Sequence, residues 1–249
     1  MLVGNGDPKQ FEVEAPEMTA LDTGRMTFAD SVFVQALFEI RTQAMCEMLP
    51  PALHPTLPPV AGFSVFDVPD SEWGPFRMAQ LRIECRSGLR PRGLLVSAVI
   101  DNEAAAKALS AAFGFKMIAG EVELARAYDE TRVSVSALGR TWLQTSMRGP
   151  QRIGEGDTQF VSSLHPAMTP SGFRLVQVDT RHAIQRVERA ALEIETFDAA
   201  AWGEERIIPS LPLPGVVGIA EISFEPIRFV CRADVLAFQG TEAIGVAGG

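Results

Sequence analysis

The chain has 249 residues, with 22 Lys and Arg against 31 Asp and Glu and a formal charge of −9. That length accommodates one large domain with a sizeable core, and 47% hydrophobic with 21% charged residues describes an ordinary soluble chain. The charge argues against a nucleic-acid partner, which needs clustered cations. No uninterrupted apolar run is long enough to span a bilayer, so no membrane partner is expected.

The start, Met1 to Lys9, has no basic segment followed by an apolar run. No secretory leader is therefore expected, and a cytoplasmic location is. Cys46, Cys85 and Cys231 are odd in number and widely spaced, the usage of reduced core residues. His54, His165 and His182 lack ligand spacing, so no metal is expected.

Residues 1–27 are polar and irregular, an arm that packs late or contacts another subunit. A single domain is expected over 28–240 and a flexible, Gly-ended tail over 241–249. An apolar run from Ser31 to Ile40 precedes Arg41-Thr42 and a short helical segment, Gln43 to Leu49. Five prolines between Pro50 and Pro59 then mark a rigid loop. Phe76 to Ser87 alternates with period two: Ala79, Leu81, Ile83 and Cys85 on one side, Gln80, Arg82, Glu84 and Arg86 on the other. That polar side faces either water or a cavity.

A basic turn, Gly88 to Gly93, leads to an apolar strand, Leu94 to Ile100. Next comes Asp101-Asn102-Glu103 and an Ala-rich segment with Ala105, Ala108, Leu109 and Ala112 at helical spacing. Asp101 or Asn102 suits its N-cap, Glu103 the positive end of its dipole, and Gly114 its C-terminal stop. Lys116 follows, alone among Phe113, Phe115, Met117 and Ile118. Such a lysine either snorkels to water or is an amine kept in an apolar pocket.

Further strands are expected over 121–128, 132–138, 141–147, 159–164 and 173–179, with a loop over 148–158. Val187 to Phe197 is ambiguous, because Val187, Ala190, Ala191 and Ile194 also fit a helix; its second half favours a strand. Ile219 to Phe238 supplies the last long strand region. Many short strands, few helices and no repeating βαβ pattern indicate an α+β, largely antiparallel, barrel-like fold. Gly-x-Gly-x-x-Gly, P-loop, Gly-x-Ser-x-Gly and paired-cysteine motifs are all missing, so no cofactor is expected.

Asp101-Asn102-Glu103, the small-residue helix and Phe113-Gly114-Phe115-Lys116 together resemble the acetoacetate decarboxylase family. The family pattern there runs Asp-Asn-Glu, a short helix, then Gly-Phe/Tyr-Pro-Lys-Lys/Arg. Arg41-Thr42, the helix after it and Ala201-Trp202 resemble other stretches of the same family, so the likeness covers about Arg41 to Phe238. The resemblance implies a decarboxylase-type fold over the central domain. It also implies a homo-oligomer, and Schiff-base lyase chemistry on a small keto acid, most simply decarboxylation of a β-keto acid. Lys116 matches the Schiff-base lysine, and Glu84 is the first candidate to move protons. Gln80, Arg82, Phe115 and Met117 are candidate substrate contacts. Aldol or dehydration chemistry, or binding without catalysis with Lys116 as an electrostatic anchor, are the alternatives. The sequence departs from the pattern where the proline before the lysine is missing and Met117 replaces the second basic residue. Phe33 falls near a family arginine. For attack on a carbonyl the amine must sit dry and uncharged, a change of roughly three pH units from about 10.4, or 4–5 kcal/mol. A lysine activated by its surroundings in acetoacetate decarboxylase is itself a standard example of this effect.

Overall fold

The computed structural model of the chain describes residues 2–244. Among these residues sixteen strands form one sheet. In chain order they are β1 (Met26–Glu39), β2 (Leu53–Pro55), β3 (Val60–Val68), β4 (Phe76–Ser87), β5 (Arg90–Ile100), β6 (Met117–Ala119), β7 (Glu121–Arg126) and β8 (Glu130–Ala137). Then come β9 (Arg140–Arg152), β10 (Ser162–Thr169), β11 (Gly172–Val178), β12 (Thr180–Phe197), β13 (Leu211–Pro212), β14 (Gly215–Phe224), β15 (Phe229–Cys231) and β16 (Thr241–Ala243). The helices are α1 (Pro8–Val13), α2 (Thr42–Met48), α3 (Glu103–Phe113) and α4 (Ala237–Gly240). The main path is β16-β15-β11-β10-β5-β4-β3-β1-β14-β12-β9-β8-β7, with β13, β2 and β6 attached at its sides. Pairing is antiparallel except where β5 meets β10 and β6. The sheet is open at both ends, although β7 folds back against β4 and β5 without pairing to them.

Alternation along the strands divides the core into two clusters, one on each face of the sheet. On one face lie Val34, Phe63, Leu81, Ile83, Leu94, Trp142 and Trp202. On the other lie Phe33, Phe66, Met78, Leu95, Phe113 and Phe115. One device departs from strict alternation beside the site. Leu81 pairs with Ser97 and Arg82 with Leu95, so Val96 is an extra residue on β5. A bulge of this kind re-aims the side chains around it.

Several expectations are met residue for residue. β4 spans Phe76 to Ser87 as its period of two predicts. The Asn102 side chain accepts from Ala105 N–H at 3.0 Å, capping α3, which ends at Gly114 with φ of 73°. Cys46, Cys85 and Cys231 are free and buried.

Others are corrected. Residues 148–152 are strand, not loop, because β9 continues alongside β12. The shift between Arg189–Gln151 and Ala191–Arg148 absorbs Gly149 and Pro150. β12 is extended throughout, from Thr180 to Phe197, so the strand favoured for the second half of 187–197 holds and reaches back through the first. Its helix-like spacing comes from apolar residues on both sides of one strand: Val187 packs in the cluster with Phe33, whereas Ala190, Leu192 and Ile194 alternate into the cluster with Trp142. The region 219–238 is not one strand: β14 ends at Phe224, β15 is short, and α4 begins at Ala237. Of the expected tail, Thr241 to Ala243 pair with β15, and residues 245–249 lie outside the described residues. The arm packs on its own chain and contains α1, capped by Asp7.

Candidate functional site

β4 carries its polar residues inward rather than into water. Gln80, Arg82 and Glu84 are 1%, 5% and 8% exposed; only Arg86 of that side reaches solvent. Arg82 donates through Nη2 to Ser64 Oγ at 2.5 Å and through Nη1 to the Val161 carbonyl at 3.1 Å. Glu84 Oε1 is buried with no hydrogen-bond partner. Burial pushes the Glu84 carboxyl up to about 7, with the charge of Arg82 opposing the rise. Burial likewise lowers the Arg82 guanidinium, and Glu84 opposes that shift. The space beside this face, lined by Phe33, Ser64, Gln80, Arg82, Phe160 and His182, amounts to about 10 Å³. That is room for about one water, so the polar face is packed rather than open.

Lys116 lies on the other side of the sheet. The Ala98 N–H donates to the Lys116 carbonyl at 3.0 Å, and β6 then pairs with β5 from Met117 onward. Alternation sends Phe115 and Met117 into the cluster that holds Phe33 and Phe66. The Lys116 side chain points the opposite way, toward Ile83 and Leu94, into a cavity of about 270 Å³. Its Nζ pairs with Glu14 Oε2 at 2.5 Å, and the side chain is 36% exposed. Of the two readings of this lysine, a stem that reaches water and an amine kept dry in an apolar pocket, the partial exposure and the ion pair fit the first, although a cavity lies beside it. The side chain keeps contact with solvent beside the cavity, and a carboxylate already pairs with the ammonium.

None of Gln80, Arg82 or Glu84 lines this cavity; His165, Glu204 and Arg206 do. Glu204 holds Arg206 through two hydrogen bonds of 2.7 Å. His165 donates from Nε2 to the Phe113 carbonyl at 2.5 Å, and its Nδ1 is buried without a partner. Burial pushes this imidazole down to about 4, so it is neutral at ordinary pH. Glu14, His165 and Arg206 escape a reading of the sequence because they reach the lysine only through tertiary packing. Glu14 alone is 102 positions away from it.

No family model matches the sequence, and no curated protein matches it. Solved structures do match. The acetoacetate decarboxylase from Legionella pneumophila superposes with a TM-score of 0.70 at 15% identity, over 88% of this chain and 93% of that one. The enduracididine biosynthesis enzyme MppR, complexed with pyruvate, gives 0.69 at 16% identity over 84% and 91%. An acetoacetate decarboxylase-like enzyme from Sphingomonas wittichii RW1 gives 0.66 at 16% identity over 83% and 92%. The fold is that of acetoacetate decarboxylase.

Within the acetoacetate decarboxylase fold, the strand direction at β6 bears on the match of the lysine. If Gly114-Phe115 is aligned with Gly-Phe of the Gly-Phe-Pro-Lys pattern, Lys116 takes the place of the proline and Met117 that of the first lysine. Met117 is also the residue that shares a side with Gln80, Arg82 and Glu84. The six candidates thus separate: Gln80, Arg82, Glu84, Phe115 and Met117 on one side of the sheet, Lys116 on the other.

Proposed function

We propose that this chain binds a small keto acid or related carboxylate in the Lys116 cavity, with the ammonium as its anchor. One observation carries the reading: the amine lines a cavity of small-molecule size and is already paired with a carboxylate, Glu14. The apolar wall, which includes Phe11, Met48, Ile83 and Leu94, suits the carbon skeleton of such a ligand. The polar residues of β4 lie outside the cavity, and the carboxylates within it are already engaged, Glu14 by Lys116 and Glu204 by Arg206, which favours binding over turnover.

A Schiff-base lyase is the second reading, favoured by the solved neighbours: two are acetoacetate decarboxylase or like it, and MppR is complexed with pyruvate. In it Lys116 Nζ, having released a proton and Glu14, attacks the ketone carbon to form a carbinolamine. Loss of water gives an iminium. As the bond to the β-carboxylate breaks, its electron pair moves into the iminium and carbon dioxide leaves. The resulting enamine takes a proton at carbon, and hydrolysis returns product and lysine.

Borohydride separates the two readings. The chain is incubated with pyruvate or acetoacetate, reduced, and its Lys116 peptide weighed by mass spectrometry. Saturable binding that Lys116→Met removes, without an adduct, is the expected result. An adduct on Lys116 moves the conclusion to the lyase, and absence of both binding and adduct removes both readings. A homo-oligomer and a cytoplasmic location belong to the same proposal, and light scattering of the purified chain tests the first.

A further inference from the structure

Residues 7–15 of the arm cross the mouth of the Lys116 cavity, and the crossing is fastened at both ends. On one side the Gly4 N–H donates to the Leu53 carbonyl at 2.8 Å and the Gly6 N–H to the Leu49 carbonyl at 2.9 Å. This contact is tight, since a Cβ at Gly4 would lie 2.2 Å from the Leu49 carbonyl oxygen. On the other side the Met168 N–H donates to the Pro16 carbonyl at 2.8 Å and the Met18 N–H to the Met168 carbonyl at 2.7 Å. Met18 itself is buried. Between the two fastenings α1 buries no residue, yet Phe11 and Glu14 reach the cavity wall.

We propose that this crossing is a strap and that Glu14 is a specificity-determining residue. Its carboxylate occupies the seat on Lys116 that a ligand's carboxylate takes, so the cavity admits anions that can displace it. This inference rests on the proposed function of the cavity. The exchange is like for like: a ligand carboxylate restores the ion pair that Glu14 gives up. A neutral molecule entering the same space leaves the ammonium either blocked by Glu14 or unpaired. The hydrogen bond and charge of Lys116 hold the Glu14 carboxyl below the usual range, so the competitor is ionised at neutral pH. Its side chain is 71% exposed, and pairs so exposed are weak. The strap is therefore a filter, not a lock.

Calorimetric titration of pyruvate into the full chain and its Glu14→Gln and Lys116→Met variants tests the inference. Both sites are at least partly exposed, and circular dichroism of each variant verifies the fold. Glu14→Gln is expected to bind pyruvate up to about five-fold more tightly, the equivalent of removing one exposed ion-pair competitor. Lys116→Met is expected to lose binding. An affinity unchanged or weakened in Glu14→Gln, with Lys116→Met still deficient, overturns the strap and leaves the binding reading standing. Binding unaffected by Lys116→Met, or no binding to the parent and Glu14→Gln alike, overturns both.

Discussion

Arg82 and Lys116 are two cations on adjoining parts of one sheet, and they are held by opposite means. Arg82 is 5% exposed and finds Ser64 and the Val161 carbonyl deep in the sheet, with Glu84 on the same side. Lys116 is a third exposed and finds Glu14 on an arm that buries nothing in its helix. One residue of alternation at Phe115-Lys116-Met117 decides on which side of the sheet the lysine falls, since successive strand residues face opposite ways. That single step puts the amine and the polar face of β4 on opposite sides of the sheet. The difference is structural support on one side and an accessible, exchangeable charge on the other.

The largest effect is expected where the charge is buried. Arg82→Leu removes both hydrogen bonds and leaves Glu84 without its neighbouring cation. Losing one member of a buried charged group costs about 3–5 kcal/mol. Urea unfolding of parent and variant at about pH 8, above the value of Glu84 in the parent, measures it. A loss below about 1 kcal/mol breaks the comparison, because Arg82 would then be no more structural than a surface charge.

Next in size is a dependence on pH that belongs to Glu84. Its carboxyl stands at about 7 in the folded chain against a reference of 4.5. The folded chain therefore holds an extra proton between those values. The stability this supplies is present below about 4.5 and is lost as pH rises through about 7. His165 and His182, both pushed down to about 4, work in the reverse sense: their stability is present above 6.5 and lost as pH falls through about 4. Both proteins keep these histidines, so comparing the parent with Glu84→Gln isolates the carboxyl. The variant is expected to gain on the parent by up to about 3 kcal/mol between about pH 4 and about pH 8. Parallel stability curves would mean that burial does not control this carboxyl.

How much of this was legible beforehand follows from the range of each interaction. β4 was readable to the residue and α3 to within one residue at its start, because a period of two and an Asp101 or Asn102 cap with a Gly114 stop are local signals. The antiparallel α+β class was readable from many short strands without a βαβ repeat, and the acetoacetate decarboxylase fold from Asp101-Asn102-Glu103 and the residues after α3. β12 was blurred because apolar residues on both of its sides imitate helical spacing, and residues 148–152 because Gly149 and Pro150 are normally turn residues but here sit in a strand irregularity. The candidate site was read least well. Its residue types were visible, but the side of the sheet each faces depends on a missing proline before Lys116 and on an extra residue, Val96, in β5. Glu14 sits in an arm whose path over the cavity is set by backbone bonds to Leu49, Leu53 and Met168, and nothing in its own sequence announces them.

The smallest effect is expected at the residue with the greatest chemical interest. Lys116→Met removes the ion pair to Glu14, but both groups keep contact with water, Glu14 at 71% and Lys116 at 36% exposure. Solvent supplies most of what the partner gave, and an exposed pair of this kind contributes about 0.2–1 kcal/mol. Methionine retains most of the apolar stem against Ile83 and Leu94, so no cavity opens in its place. Unfolding of Lys116→Met at neutral pH is therefore expected within about 1 kcal/mol of the parent. Because Lys116 depresses the Glu14 carboxyl, the pair's small contribution is present at neutral pH and fades as pH falls through the depressed value. A loss as large as that of Arg82→Leu would make Lys116 a structural residue of the strap, and the cavity beside it would no longer need a ligand to account for the amine.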